Sequence, residues 1–245
     1  MKPRLDQALV ARGLAETRTK AQGLIMAGLV FVRGKRADKP GVAVAEDAAI
    51  EVKGKEHPYV SRGGVKLAHA LGRFGIDPKG KICLDIGAST GGFTDVLLRR
   101  GAAKVYAVDV GHGQLDWSLR NDPRVVVLEK VNARHLTPAE VPEPADLVVC
   151  DASFIGLMTV LPAPLSLAAP GAELVALIKP QFEVGRDKVG KGGIVRDAAS
   201  REAARDRVRD WIAAREGWTV LGVEDSPIAG ADGNREYLIA ARRRG

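Results

Sequence analysis

The sequence predicts an α/β fold in which a Rossmann-like sheet of seven strands follows a small α+β domain. Apolar runs of strand length alternate with helical patterns through most of the chain, which is typical of a parallel sheet. These runs are residues 82–86, 105–109, 124–128, 146–151 and 173–178. Two more strand patterns, 218–223 and 236–241, are joined by a loop rich in Gly, Asp and Asn, which predicts an antiparallel last strand.

The helices are predicted from apolar periodicity and from capping residues. In the small domain, Leu5, Ala8 and Leu9 recur at helical spacing, and Thr17 can cap a second helix that ends before Gly28. Strand patterns follow at residues 29–35 and 48–52. In the larger part we expect helices over residues 93–100, 155–168 and 198–216, and one that opens at residue 113. A further helix is expected to have a glycine-rich start, Lys66 in its first turn and an apolar face of Leu67, Ala70, Leu71 and Phe74.

Composition limits the class of protein. The 245 residues are 46% hydrophobic, enough for one large core and a small second domain. No run of about 18 apolar residues predicts a membrane span, and the amino terminus lacks the apolar core of a signal peptide, so we expect a cytoplasmic protein. Cys83 and Cys150 fall inside predicted buried strands, so we expect free thiols.

The net charge of +7 indicates a polyanionic partner. Residues 1–60 contain 11 Lys or Arg and 7 Asp or Glu, which is over half of the surplus in a quarter of the chain. Few aromatic residues accompany them, so phosphate and shape recognition of folded RNA is expected rather than base stacking. The candidate RNA contacts are Arg4, Arg18, Lys20, Arg33, Lys35, Arg36 and Arg62.

The runs 4–6, 17–25 and 28–32 resemble the RNA-binding module of the ribosomal-protein-S-four type. The alternative is a solvated basic face on an accessory domain. Residues 53–60 break every periodicity and contain Gly and Pro, which indicates a linker. We therefore expect an RNA-binding domain at residues 1–54, a linker at 55–60 and a second domain at 61–245.

The second domain is organised around a strand, a glycine-rich turn and a helix. An acidic residue stands two places before the first glycine, and the pattern is not the dinucleotide fingerprint G-x-G-x-x-G. The pattern D-x-G-x-x-x-G-G resembles the first motif of S-adenosylmethionine-dependent methyltransferases, which implies that cofactor. The contacts expected from this motif are Asp85, Gly87, Ala88, Ser89, Thr90, Gly91, Gly92 and Phe93.

More cofactor contacts are expected where later strands end, because ligands of open parallel sheets bind beyond the carboxyl ends of the strands. Asp109 ends the next strand, 22 residues beyond Gly87, and is a candidate ligand of two ribose hydroxyls. The alternative is that Asp109 only ends the strand and caps a helix. Val110, Asn132 at the adenine and Asp151 complete the expected set.

Four residues at element ends, Lys66, Asp151, Lys179 and Glu236, resemble the catalytic tetrad of ribose 2′-O-methyltransferases of the FtsJ type. The resemblance implies that Lys179 orients and deprotonates the 2′-hydroxyl. Asp151 and Glu236 would position it and balance its charge, and Lys66 would be a second cation. Lys179 read alone could be an ordinary surface lysine. No metal site is predicted.

The segment 185–192 mimics a phosphate-binding P-loop, but Gly192 stands where a magnesium-binding Ser or Thr is required, which excludes a nucleoside triphosphatase. Over nearly the whole chain, the sequence resembles the TlyA family, also labelled hemolysin A. The matching segments are residues 59–67, 85–94, 108–115, 150–154 and 178–183.

That resemblance implies methylation of cytidine 2′-hydroxyls in ribosomal RNA. The main expected substrate is the large-subunit 23S RNA, and 16S RNA is a further candidate. The expected partner is ribosomal RNA or a ribosomal subunit, and a monomer is favoured. Two alternatives come from other classes of protein. One is a non-catalytic ribosome-binding or assembly factor. The other is a membrane-active hemolysin, for which the sequence shows no insertion segment.

Overall fold

The computed structural model describes residues 2–26, 28–53, 57–230 and 233–245. The chain divides into two compact units, Met1–Pro58 and Tyr59–Gly245. Part of the expected linker, at residues 55–56, lies outside the described residues. Tyr59 and Val60 belong to the second unit, where the Val60 N–H donates to Asp95 Oδ2 over 2.9 Å.

The first unit contains two helices and a three-stranded antiparallel sheet. Its elements are α1 (Leu5–Ala11), α2 (Arg18–Met26), β1 (Val30–Val32), β2 (Lys35–Arg36) and β3 (Ile50–Val52), with strand order β2-β1-β3. Thr17 caps α2, because its Oγ1 accepts the Lys20 N–H at 3.2 Å. Leu5, Leu9 and Ile25 are fully buried in the core of this unit. The predicted α+β domain is confirmed.

The second unit contains a seven-stranded sheet with helices on both faces. Its strands are β4 (Ile82–Ile86), β5 (Lys104–Asp109), β6 (Val125–Glu129), β7 (Ala145–Cys150), β8 (Ala168–Ile178), β9 (Trp218–Asp225) and β10 (Tyr237–Arg243). The order is β6-β5-β4-β7-β8-β10-β9, and β10 is antiparallel to both of its neighbours. The Rossmann-like sheet with an antiparallel last strand is therefore confirmed.

The helices of this unit lie on opposite faces of the sheet. They are α3 (Gly63–Phe74), α4 (Gly92–Arg99), α5 (Trp117–Arg120), α6 (Leu157–Val160), α7 (Pro162–Ser166), α8 (Pro180–Glu183) and α9 (Ala198–Ala213). On one face, α3 and α4 pack on Cys83, Val105 and Leu147. On the other face, α6, α7 and α9 pack on Leu84 and Ile86. This alternation between adjacent strand residues is what a sheet covered on both faces requires.

Two expected helices differ from the prediction. The helix expected to open at residue 113 begins at Trp117, because Asp116 is its cap and Oδ1 accepts the Ser118 N–H at 2.9 Å. The helix expected over 155–168 is divided into α6 and α7, because Pro162 has no N–H to continue the first helix.

Both cysteines are buried free thiols, and burial raises their pKa to about 12. In the described part of the chain, no helix is long and apolar enough to cross a membrane.

The starts of α3 and α4 approach each other closely, and Gly92 makes this possible. A Cβ at Gly92 would lie 2.2 Å from Ser61 Oγ and 2.9 Å from the Gly64 nitrogen, which is backbone and cannot swing away. In contrast, a Cβ at Gly72 of α3 would meet nothing within 4 Å.

These two glycines should therefore respond to alanine with opposite signs. Gly92→Ala should lower the free energy of unfolding by about 1–3 kcal/mol through overpacking. Gly72→Ala should raise it by about 0.5–1 kcal/mol through helix propensity. Urea unfolding of both variants measures the two changes, and a shared sign would contradict this packing.

Candidate active site

The candidate site lies where parallel strands end and the strand order reverses. The chain proceeds outward from β4 to β5 and β6, and then returns to β7 on the other side of β4. In open α/β sheets such a switch point leaves a crevice at the carboxyl ends of the strands. The turn after β4, the loop after β5 and the loop after β7 meet at this edge.

Asp109, which ends β5, joins two of these loops. Its Oδ2 accepts the Ser89 N–H at 2.8 Å, and its Oδ1 accepts the Gly111 N–H at 2.7 Å. The alternative that Asp109 caps the following helix is wrong, because Asp116 caps α5. A carboxylate can accept about four hydrogen bonds, so two ribose hydroxyls still have acceptors here.

Gly87 brings the turn after β4 against the loop after β7. Its φ is +79°, and a Cβ there would lie 2.8 Å from Ala152 Cα and 2.9 Å from the Ala152 nitrogen. Beyond the buried Ala88, Ser89 and Thr90 are exposed at the edge. A side chain at position 87 would therefore force the two loops apart and open the crevice.

Asp85 does not reach the crevice surface as the motif predicts. Its side chain is fully buried beneath the turn, and its Oδ2 accepts a hydrogen bond from Thr94 Oγ1 at 2.7 Å. Burial raises the pKa of Asp85 to about 7; the Thr94 hydrogen bonds oppose this shift, while the charges of Asp151 and Asp109 add to it. We therefore correct Asp85 from a direct cofactor ligand to a residue that supports the turn.

Several other predicted contacts are also turned toward the protein. Gly91 packs on Leu119, and Gly92 packs on the start of α3. Ala88 and Phe93 are buried. The side chains that the structure leaves nearer the surface are those of Ser89, Thr90, Asp109, Val110, Asn132 and Asp151.

Asn132 follows β6 and is partly buried. Its Oδ1 accepts the Arg134 N–H at 3.1 Å and thereby caps a short 3-10 turn at Ala133–His135. This contact fixes the orientation of the Asn132 side-chain amide in the loop that follows β6.

The four tetrad residues form two amine–carboxylate pairs. Lys179 Nζ lies 2.7 Å from Asp151 Oδ1, and Lys66 Nζ lies 2.5 Å from Glu236 Oε2. Lys66, Lys179 and Glu236 are buried, whereas the Asp151 side chain keeps 21% of its surface exposed. Buried charges are costly unless they are paired, and each amine has a carboxylate that compensates its charge.

The two pairs belong to neighbouring elements. Gly63 begins α3, one turn ahead of Lys66, and its Cβ position lies 3.5 Å from Asp151 Oδ2. The start of the helix that carries Lys66 therefore abuts the carboxylate of the other pair. Lys179 directly follows β8. Glu236 immediately precedes β10, the strand that pairs with β8 in the sheet.

Sequence reasoning missed three residues around Lys179. Ser153 Oγ accepts a hydrogen bond from Lys179 Nζ at 2.8 Å. Phe154 is 91% exposed with φ +67°, and its ring centroid lies 5.3 Å from that of Phe182. Glu183 Oε1 accepts the Leu157 N–H at 2.7 Å, and burial raises the pKa of this carboxyl. These residues lie in segments 150–154 and 178–183, which resemble the TlyA family and also contain Asp151 and Lys179. Their closeness to those two residues in the sequence was the signal that could have identified them.

The candidate RNA contacts of the first unit differ in how they are held. The buried carboxylate of Asp6 accepts from Arg4 at 3.1 Å, Arg18 at 2.9 Å and Gln22 at 2.9 Å. The hydrogen bond from Arg4, with those from Gln22 and Arg18, holds the pKa of Asp6 well below its usual range against the effect of burial.

Other basic residues are less engaged. Lys20 pairs with Glu16, and Arg33 lies 3.4 Å from Asp47. Lys35, Arg36 and, in the second unit, Arg62 are exposed. Within the described residues these three make no ion pair, so their charges are available to phosphates. In the same part of the chain, no three His, Cys, Asp or Glu side chains are grouped to hold a metal ion.

The raised pKa of Asp85 predicts a pH dependence of stability. An unfolded Asp titrates near pKa 3.9, so the folded state is penalised progressively as the pH rises from about 4 to about 7. Asp85→Asn removes this penalty. The variant should therefore gain roughly 2–4 kcal/mol over the wild type between pH 4 and pH 8, as measured by urea unfolding at several pH values.

Asp122→Asn provides a control of opposite sign. Hydrogen bonding to Arg124 lowers the pKa of Asp122, so this carboxylate stabilises the fold above pH 4 and the variant should lose stability there. An unfolding free-energy difference between wild type and Asp85→Asn that stays constant from pH 4 to pH 8 would refute the burial of a titrating Asp85.

Residues 59–243 match the family of FtsJ-like methyltransferases, and residues 3–50 match the S4 domain. The 16S/23S rRNA (cytidine-2′-O)-methyltransferase TlyA of Mycobacterium tuberculosis is 53% identical over 241 residues, covering 98% of this chain and 89% of that protein.

Two solved structures are also similar. One, from Streptococcus thermophilus and named as a candidate hemolysin, is 42% identical with a TM-score of 0.75 and covers 99% of this chain and 89% of its own. The other, the O-methyltransferase of Bacillus cereus, is 19% identical with a TM-score of 0.52, covers 77% and 84%, and shares the fold alone.

Together with a sheet whose last strand is reversed, the match over residues 59–243 defines the second unit as an FtsJ-like methyltransferase. An S4 domain precedes it. With 53% identity over nearly its full length, the chain belongs to the TlyA family, whose relatives also bear the hemolysin name. The family resemblances stated from the motifs are thereby confirmed.

Proposed function

We propose that this protein transfers a methyl group from S-adenosylmethionine to the 2′-hydroxyl of a cytidine in ribosomal RNA. The observation that carries the proposal is the convergence of two buried amine–carboxylate pairs at the ligand edge of a methyltransferase sheet. The TlyA relative of M. tuberculosis, which is named for this reaction on 16S and 23S RNA, supports it.

The residues at this edge fit the donor. Asp109 offers free acceptors for two ribose hydroxyls, Val110 offers an exposed apolar side chain beside it, and Asn132 offers an oriented amide. S-adenosylmethionine, when bound, supplies a methyl group on a positively charged sulfur. We assign the cofactor contacts to the turn at Gly87–Thr90 and to these three residues.

The chain's own residues must hold the ribose and accept its proton. The ribose oxygen forms the new bond to the methyl carbon, the carbon–sulfur bond breaks with its electron pair left on sulfur, and the hydroxyl proton goes to Lys179 Nζ, which has first released one of its own protons to solvent. Lys179 orients the hydroxyl, and Asp151 balances the charge. Lys66, fixed by Glu236, is a second cation beside the developing oxyanion.

The first unit is assigned to RNA binding, in keeping with its match to the S4 domain. Arg4 and Arg18 are fixed by Asp6, whereas Lys35, Arg36 and, in the second unit, Arg62 are exposed cations. We propose residues 1–54 for RNA binding and 61–245 for catalysis, with residues 55–60 as the connection, of which Tyr59 and Val60 pack with the second unit. We further propose ribosomal RNA or a ribosomal subunit as the partner and action in the cytoplasm as a monomer.

Lys179→Ala should abolish methyl transfer, because the ribose hydroxyl loses the group that orients it. Labelled S-adenosylmethionine is incubated with separated 30S and 50S subunits, and the modified nucleotide is mapped. Arg209→Ala, an exposed residue of α9, is the control and should be unchanged. Transfer by Lys179→Ala at the wild-type rate would reject the catalytic assignment, and a modified base would reject the ribose.

The same experiment separates the alternatives. A non-catalytic assembly factor would bind subunits without labelling them. Labelling of the 50S subunit alone or of both subunits decides between the 23S and the 16S/23S substrate.

The basic residues of the first unit should differ in their contribution to RNA affinity. Lys35→Glu should weaken binding about tenfold and should lower the slope of log K against log salt concentration by about one, because it removes a phosphate contact. Lys20→Glu is the matched control and should lose less, because Lys20 is already paired with Glu16. Filter binding over a salt series measures both, and equal losses would argue against this division.

A further inference from the structure

We propose that Ser153 is a positioning residue for Lys179, and that its hydroxyl occupies the place which the ribose 2′-hydroxyl takes when the substrate binds. The inference rests on the proposed function, and it adds a residue to the tetrad of Lys66, Asp151, Lys179 and Glu236.

The first observation is the number of contacts at Lys179 Nζ. A lysine ammonium has three N–H donors and no acceptor. Nζ lies 2.7 Å from Asp151 Oδ1, 3.1 Å from the Asp151 carbonyl oxygen and 2.8 Å from Ser153 Oγ. The Asp151 carbonyl oxygen and Ser153 Oγ accept hydrogen bonds from Nζ, and Asp151 Oδ1 is its ion-pair partner, so three protein oxygens already surround Nζ and a ribose hydroxyl meets it by replacing one of them.

The second observation is that the three acceptors are not equivalent. Two of them belong to Asp151, which follows β7 and is held in the sheet by its own N–H, donated to the Ile86 carbonyl oxygen at 2.9 Å. The third belongs to Ser153, an exposed residue, although the lysine itself is buried. Exchange therefore costs least at Ser153, and this acceptor is the one that substrate can approach from solvent.

The third observation is that the loop holding Ser153 is fixed beyond it. The Leu157 N–H donates to Glu183 Oε1 at 2.7 Å, and the ring of Phe154 lies 5.3 Å from that of Phe182. Both partners follow Lys179 in α8. The short segment from Lys179 through α8 therefore positions the Lys179 amine and also holds the loop that contains Ser153.

A hydroxyl suits this position because it accepts and donates at once. While Oγ accepts from Nζ, its own hydrogen remains free to donate to the oxygen of an approaching ribose. Ser153 therefore keeps the ammonium directed at the crevice and presents a donor to the incoming hydroxyl. Without it, Nζ has two acceptors, both on Asp151, and turns away from the substrate.

Three variants of the full chain test this role: Ser153→Ala, Ser153→Thr and the control Ser166→Ala. Ser166 is also exposed, and its hydroxyl donates to the Ala163 carbonyl oxygen in α7, away from the tetrad. The measurements are the single-turnover rate of methyl transfer with saturating S-adenosylmethionine and ribosomal subunits, and the Kd for each.

Ser153→Ala should slow transfer by about 10- to 100-fold, the effect of one hydrogen bond to a charged group, with both Kd values within about twofold of wild type. Ser153→Thr keeps the hydroxyl and should recover transfer to within about threefold of the wild-type rate. Ser166→Ala should match the wild type.

Two results would overturn the inference: a wild-type rate for Ser153→Ala, or a loss that Thr does not recover. A loss confined to either Kd would likewise place Ser153 in binding rather than in positioning. These outcomes are distinct from failure of the proposed function, which would appear in the wild type as no methylated ribose in either subunit.

Discussion

The pairing of two buried amines with two carboxylates at one edge of the sheet constrains the rest of the catalytic unit. Removing a charge from water costs several kcal/mol, and pairing recovers this only with good geometry. The four members come from α3, from the ends of β7 and β8, and from the start of β10. The pairs therefore form only when all of these elements have their observed order, so the presence of both pairs depends on the topology of the sheet.

The same constraint explains where the backbone must lack side chains. The Cβ position of Gly230 lies 2.5 Å from Glu236 Oε1. A side chain at Gly230 would displace the carboxylate that holds Lys66. Close approach of backbone to Glu236 thus depends on a glycine that no cofactor motif includes.

Much of the fold was predictable because its strands and turns depend on patterns between residues that are close in the sequence. Apolar runs of strand length predicted all seven strands of the large sheet, and the loop before residue 236 predicted the reversed last strand. The helix expected over 155–168 is interrupted at Pro162, which has no N–H. The helix expected to open at 113 begins later, because Asp116 caps it. The short β2 pairs with β1 through only two residues, too few for a period to be visible.

The site was predictable in its members but not in its contacts. Resemblance to the FtsJ-type tetrad predicted Lys66, Asp151, Lys179 and Glu236, yet nothing in the sequence states which amine meets which acid, because that is a tertiary distance. Asp85 shows the reverse error: an acidic residue in a cofactor motif was expected at the ligand, and the structure buries it beneath the turn. Ser153 was overlooked because a serine carries no charge pattern, although it contacts the same ammonium.

The reversed direction of β10 has a consequence for how this site can vary. In the parallel strands, the edge that faces ligand is reached at the end of the strand, whereas β10 reaches it at the beginning, with Tyr237 opposite Ile178. The connection that enters β10 therefore borders the site directly, because its Gly230 lies against the Glu236 carboxylate and its Ser226 N–H donates to the Glu236 carbonyl oxygen at 2.9 Å. A slip of one residue between β10 and β8 would turn Glu236 to the other face of the sheet and leave Lys66 without its counter-ion.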